Sequence, residues 1–522
     1  MNGYNNLYND KLRYWHEQFY KNSKFAFTYK EFSLTFNNVA ISSGGDGRKS
    51  QWPTFYNYSF AEPIMQFDIN EKTKTSVNQL KGITKYGPLD CSYFRGTNSN
   101  RPQINLSILS PTEDLNDILN HLAKLNRYSS PKNTNDGFLT QYGGFDTIYK
   151  RAISIPSAQD TDRIFTYSSS ITENINQLEF VNLIKKCIDK ISSKHDFDIL
   201  IIYIPARFLR FREDLSTDFN LHDAIKLYAT DKSVKVQFIE EKSLKYLDQC
   251  KVMWALSTSL YAKAAGVLWQ PETTHENTAF VGISYAISKL KKTCIGCSQL
   301  FDSSGTGIKL LLRKIADPEY WGRSPYMKCD EARSTISALL DQYYNYSPPG
   351  NLKRIVIHKT THFTKEEITG FTQALEGIDD IELLQIQEYS SWRAIRYDTT
   401  KIGSDPARFA IHRGTVIPLD DFSFLLWTHG CVQHDDLSGR KLNYYKGGRG
   451  IPAPLLVKRF YGKSTGDVIA KEIMMLSKMN WNSGDSLYKQ LPVTLDFAKV
   501  LSRMSKQDEA IYNKPYDFRY FM

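Results

Sequence analysis

No apolar run in the 522-residue sequence approaches the ~20 residues that a bilayer span needs; the longest, around Ile199–Ile204, has the length of a strand. The first fifteen residues are polar and lack the apolar core of a secretory signal. Cysteine is scarce, with seven in an odd, irregular set, which excludes a secreted disulfide scaffold and points to the cytoplasm. Cys294 and Cys297 form a lone C-x-x-C with no second pair at zinc spacing, and they read as strand residues. No G-x-G-x-x-G follows a strand, and Gly305-Thr-Gly307 lacks the Lys-Ser/Thr pair of a phosphate loop, which removes the nucleotide-dependent Rossmann enzymes. There is no internal repeat and no low-complexity tract.

What is present is an ordinary globular balance: 41% hydrophobic and 23% charged residues, with 32 Tyr and 29 Phe to build large cores. The net charge of +10 fits an anionic partner such as nucleic acid, although a basic solvated surface has the same composition. The length allows two to four domains.

Residues 1–100 read as irregular and strand-rich, with turn chemistry at Ser42–Gly45 and Tyr86–Asp90. Beyond them strands and helices alternate. Strand-like Ile104–Leu109 precedes helical spacing at 115–125. Helical Phe180–Ile191 leads to the buried strand Asp198–Ile204, and helix His222–Tyr228 to the strand Val234–Phe238 and the helix Val252–Ala265. Short links between such units predict a parallel, Rossmann-like sheet. The polar stretch 270–278 reads as a domain joint. After it come two strands, 279–285 and 294–300, then a helix 329–344, a strand 353–358, a helix 364–375 and a strand 381–386. A strand hairpin followed by helix–strand alternation is the order of a ribonuclease-H-like domain.

Three stretches carry chemistry. His222-Asp-Ala-Ile-Lys226 puts an imidazole and an ammonium on one helix face. Gln237 lies on the strand that follows, and Lys263 lies near a helix end in Leu260-Tyr-Ala-Lys-Ala-Ala-Gly266. A ring to stack on a base, two point charges for a phosphate and an amide make a pocket for a terminal nucleotide. Taken singly, each is an ordinary surface pattern.

In type, order and spacing these residues resemble the guide-end pocket of the MID domain of Argonaute and PIWI proteins. The resemblance implies an α/β chain: a strand-rich N-terminal region (1–100), a Rossmann-like MID domain (101–272) and a ribonuclease-H-like PIWI domain (273–522). It implies that His222, Lys226, Gln237 and Lys263 bind a guide 5′-phosphate. It also implies that Mg²⁺ sits there between Gln237 and the terminal carboxylate of Met522, at the end of the aromatic tail Asp517–Met522.

Active PIWI domains hold two metal ions with carboxylates. Here Ser284 stands in the Gly-Ile-Asp context, Thr360 or Thr361 follows the Ile-Val-Ile-His strand, and Lys499 occupies the helix position of the last ligand. An ammonium repels Mg²⁺. Asp302 and Asp496 do not restore the pattern. The expectation is an inactive nuclease face, with Lys359, Arg449, Lys458, Lys499 and Arg459 as the cations that meet phosphates. With only about 100 residues ahead of the MID-like part, the chain resembles a short prokaryotic Argonaute. Such proteins pair with an APAZ-containing effector, here expected to be an NAD-degrading TIR or sirtuin-like one. The implied role is immunity by abortive infection, with a 5′-phosphorylated guide RNA, a single-stranded DNA target and oligomerisation on activation. The alternatives are an active guide-directed nuclease and an Argonaute whose effector is an APAZ-nuclease.

Overall fold

The computed structural model describes residues 57–90, 103–132, 139–172, 174–194, 196–214, 219–272, 277–287, 294–301, 307–345, 352–388, 390–394, 410–435, 441–445, 451–482, 489–505, 507 and 515–522, together with 14, 26–29, 32–35, 42–43 and 54–55. Contacts divide the chain into two compact units. One comprises Met1–Glu62, Ile386–Arg459 and Ser464–Met474; the other comprises Pro63–Gln385, Phe460–Lys463 and Met475–Met522.

The larger unit holds two main sheets. In the first, strands β1 (Gln103–Pro111), β2 (Ile164–Tyr167), β3 (Ile199–Ile204) and β4 (Val236–Glu240) run parallel in the order β2-β1-β3-β4. Helices α1 (Leu115–Leu122), α2 (Gln177–Ser192), α3 (Leu221–Asp231) and α4 (Gln249–Lys263) connect and cover them. All six residues of β3 are buried, as expected for a parallel strand covered on both faces. A capping box of Asn176 and Glu179 starts α2. Its Phe180, Ile184, Ile188 and Ile191 then bury at helical spacing in one core with Leu200, Ile202 and Ile204.

The second sheet contains β5 (Thr278–Ile287), β6 (Cys294–Phe301), β7 (Gly307–Ile315), β8 (Arg354–Lys359) and β9 (Asp380–Gln387). β5, β6 and β7 form an antiparallel meander, whereas β5, β8 and β9 run parallel. Helices α5 (Cys329–Tyr344) and α6 (Lys365–Ala374) pack on one face through Ile336, Leu339 and Phe371. Helix α7 (Val493–Met504) lies across the other face over β5 and β6. Gly282 makes that approach possible, because a Cβ there would sit 2.1 Å from the Thr494 carbonyl oxygen. His358 Nδ1 and Thr494 Oγ1 (2.9 Å) and the bond from Ser502 Oγ to the Tyr285 carbonyl (3.0 Å) pin the helix.

The smaller unit contains an antiparallel set of Tyr58–Ser59, Thr415–Asp420, Ser423–Leu426 and the strand Leu455–Tyr461 as far as Arg459, and the helix Gly466–Leu476 as far as Met474. No described helix is long and apolar enough to cross a membrane.

Three sequence expectations shift. The strand expected at 234–238 is observed two residues later. The strand-rich reading of residues 1–100 missed the helix Gln79–Tyr86, whose cap Asn78 accepts from Lys81 N (3.1 Å). Inside the stretch read as a joint, Gln270–Pro271 pairs with Met65–Gln66.

Candidate nucleic-acid interface

Helix α3 begins at Asn220, whose side chain accepts from Asp223 N (3.1 Å). That start sets the phase that turns the Lys226 stem inward, leaving it 4% exposed. Strand β4 brings up Gln237, and Lys263, the last residue of α4, is 1% exposed. Lys263 Nζ donates to Gln237 Oε1 (2.6 Å) and to the Val236 carbonyl (3.0 Å), and Ser259 Oγ donates to the same Gln237 oxygen (2.9 Å). Lys226 Nζ donates to the main-chain oxygen of Met522, itself buried. The His222 ring lies 4.8 Å from that of Phe238. The structure thus joins Gln237 to Lys263 and Lys226 to Met522 directly, and the basic groups interact electrostatically.

Burial pushes Lys226 down to about 7, and burial together with the Lys226 charge pushes Lys263 well below the usual lysine range. Burial, reinforced by Lys226 and Lys263, pushes His222 down to about 4. Three basic groups in one water-poor pocket disfavour one another's charge, and a bound anion reverses that effect.

Asp223 escaped the sequence reading. It is fully buried and accepts from Arg503 of α7 through Nε (2.6 Å) and a terminal guanidinium nitrogen (2.9 Å). Burial raises its pKa, but the bonds from His222 and Arg503 outweigh this and hold it below the usual carboxylate value. A cavity of about 490 Å³, lined in part by His121, Gln237, Phe238, Tyr246 and Ser259, adjoins the pocket. That volume suits a small ligand.

The second cluster lies on the α7 face of the other sheet. Gly282 pairs with His358 and Ile283 with Lys359; Ser284 is the next residue of β5, whereas Thr360 follows the end of β8. Alternation places Ser284 on the same face as Gly282, the face that α7 covers. Lys499 lies on α7 between Thr494 and Ser502. Asp496 on the same helix accepts from the Asn480 amide. Among the described residues no group of three or more His, Cys, Asp or Glu is arranged to hold a metal ion.

Lys359 does not belong with the phosphate-facing cations. It is fully buried on the opposite face, where Nζ lies 2.6 Å from both carboxylate oxygens of Glu367 and within 5.1 Å of the ring centres of Tyr285, Tyr326 and Phe363. Arg459 is engaged with the carbonyls of Ser464 and Asp421, while Lys458 is exposed. Asp302, Arg449 and the side chains of Cys294 and Cys297 lie outside the described residues.

The chain matches no family model. It is 22% identical to the Argonaute of Aquifex aeolicus over 346 residues, which cover 65% of this chain and 43% of that protein. Its fold is similar to that of Clostridium butyricum Argonaute bound to a guide DNA and a target DNA, with a TM-score of 0.62 and 15% identity, over 90% of this chain and 55% of that one. It is also similar to the crystal structure of Aquifex aeolicus Argonaute, with a TM-score of 0.56 and 17% identity, over 89% of this chain and 55% of that one. The chain therefore spans about half the length of the relatives it matches. The α/β fold with mixed sheets is Argonaute-like, as the pocket motif led us to expect.

Proposed function

We propose that this Argonaute relative holds the 5′-phosphorylated end of a guide RNA, recognises a complementary single-stranded DNA without cutting it, and signals through a partner. The observation that carries the reading is the pocket of the buried Lys226 and Lys263 and the partly exposed His222 ring around Gln237, in which basic groups disfavour one another's charge. A phosphate dianion supplies the missing negative charge, and the His222 ring offers a surface for the first base. The similarity to a Clostridium protein that binds both a guide and a target DNA supports the same use here.

Mg²⁺ is part of the proposal. Gln237 Oε1 and the Met522 main-chain oxygen are hard donors of the kind it takes, and both now accept from cations. Gln237 and Met522 would hold the ion, which would supply positive charge that further neutralises the phosphate. The lysines position and charge-balance the phosphate, and the pocket excludes water.

Target cleavage is not part of the proposal. Ser284, and Thr360 or Thr361, stand in the sequence where the resemblance expects the carboxylates that would hold metal ions, and Lys499 adds positive charge on α7. A protein that reads a target without altering it acts through a second one. We assign that role to an APAZ-containing effector of TIR or sirtuin-like type, which degrades NAD when target binds.

The test is guide binding by Lys226→Ala/Lys263→Ala. Each charge-assisted contact is worth about 1.5–3 kcal/mol, so a 5′-phosphorylated guide should weaken by two orders of magnitude or more, and a 5′-hydroxyl guide far less. Equal weakening of both guides removes the pocket assignment.

A further inference from the structure

The buried Lys359–Glu367 pair has no place in guide binding, yet it underlies a row of rings at the surface. Tyr326 and Phe363, both packed on the Lys359 ammonium at 4.9 Å, support His362 and Phe460. The Tyr326 hydroxyl and His362 Nδ1 are 2.7 Å apart, which fixes the imidazole. The Trp321 ring lies 4.8 Å and the Phe460 ring 6.4 Å from the His362 ring. Trp321 is 52% exposed and Phe460 36% exposed. Trp321 sits at the end of a short hairpin strand, Glu319–Trp321, and its indole N–H is held by Glu319 (2.9 Å). His362 Nε2 is buried without a hydrogen-bond partner among the described residues. Arg323 and Lys463 are exposed beside Trp321 and Phe460 in sequence.

The row lies just past the carboxyl end of β8, three residues after Lys359 and two after Thr360. The carboxyl ends of parallel strands are where open α/β sheets receive ligands. Aromatic faces that remain half exposed, on a support held rigid by a buried ion pair and with cations alongside, suit unpaired bases, because every base has a π-face and a phosphate follows each one. An apolar protein segment would gain less from exposed cations.

We propose that Trp321, His362 and Phe460 form a stacking platform for unpaired nucleobases of a single strand at the carboxyl end of β8. The inference rests on the nucleic-acid reading of the chain but not on the 5′-phosphate pocket. The bases come from an unpaired part of either the guide or the target.

The probe is a thymidine oligonucleotide with a 5′-hydroxyl end, compared with a blunt duplex of equal length. Trp321→Ala/Phe460→Ala should lower single-strand affinity roughly tenfold or more, leave duplex affinity unchanged and preserve the preference for 5′-phosphate. Trp321→Phe should retain single-strand affinity. With the unaltered protein loaded with guide and target, 2-aminopurine scanned through the unpaired positions of either strand should be quenched in one of them, which identifies the source. Equal loss on single strand and duplex, no loss on either, absence of quenching in both strands, or an effect only on co-purification of a partner protein overturns the proposal. Loss of the 5′-phosphate preference in the unaltered protein would instead count against the guide-pocket reading.

Discussion

Lys226 and Lys263 are basic groups whose charge is disfavoured by burial in the guide-free protein. With Lys226 near pH 7 in the folded chain and near the ordinary 10.5 when unfolded, the unfolded state binds more protons between those values. Stability of the guide-free protein should therefore rise with pH across that window, to the extent that Lys226 contributes. Lys226→Met should raise the unfolding free energy at pH 7 by about 1 kcal/mol, measured by denaturant titration, while abolishing preference for a 5′-phosphate. Guide affinity should run the opposite way, because the phosphate binds the protonated lysine. Raising pH from about 6.5 to about 8.5 should weaken a 5′-phosphorylated guide more than a 5′-hydroxyl one; identical pH slopes for the two would contradict this. Much of the pocket was legible in the sequence because His222, Lys226, Gln237 and Lys263 lie within two helices and one strand. Asp223 was not, since its partner Arg503 is 280 residues away and nothing local marks it.

At the scale of elements, α7 ties the two sheets of the larger unit together. It meets β5 at Gly282, carries Lys499 and reaches α3 through Arg503. Gly282→Ala puts a methyl against the Thr494 backbone and should destabilise by about 1–3 kcal/mol, seen as a lowered thermal midpoint; an unchanged midpoint would show that α7 can shift. Arg503→Ala strands the Asp223 carboxylate. Because Arg503 is more than half exposed, solvent screening reduces the loss to about 1–2 kcal/mol. Glu367→Ala leaves Lys359 uncompensated with no exposure, so a larger loss of about 3–5 kcal/mol is expected. A comparison of the two by urea denaturation tests whether burial sets the order. Helix α5 and strands β3, β8 and β9 were legible to within a residue or so because their apolar periods are unbroken. The helix Gln79–Tyr86 was not, because its eight residues have a weak apolar stripe and their capping Asn78 stands amid turn-forming neighbours. Nor could the inward turn of Lys359 be read: a lysine at a strand end is usually solvated, and only Glu367 eight residues on, with three rings, makes burial tolerable.

At the scale of the whole molecule, the account assigns the chain one task, recognition, and leaves the consequence to a partner. In the co-purified complex, NAD should be stable with guide alone and consumed when target is added, because a ligand shifts an equilibrium only by its differential affinity for the two states. Indifference of the complex to target would remove the effector assignment. The surplus of positive charge predicts that guide and target binding weaken steeply as salt rises. The central claim, recognition without cleavage, is tested most directly by incubating the protein, loaded with a 5′-phosphorylated guide, with end-labelled complementary DNA in Mg²⁺ or Mn²⁺. The target should be retained, stay full-length, and be released when Lys226 and Lys263 are replaced by alanine. A guide-dependent cut at a fixed distance from the guide 5′ end would contradict it, and so would a target that never binds.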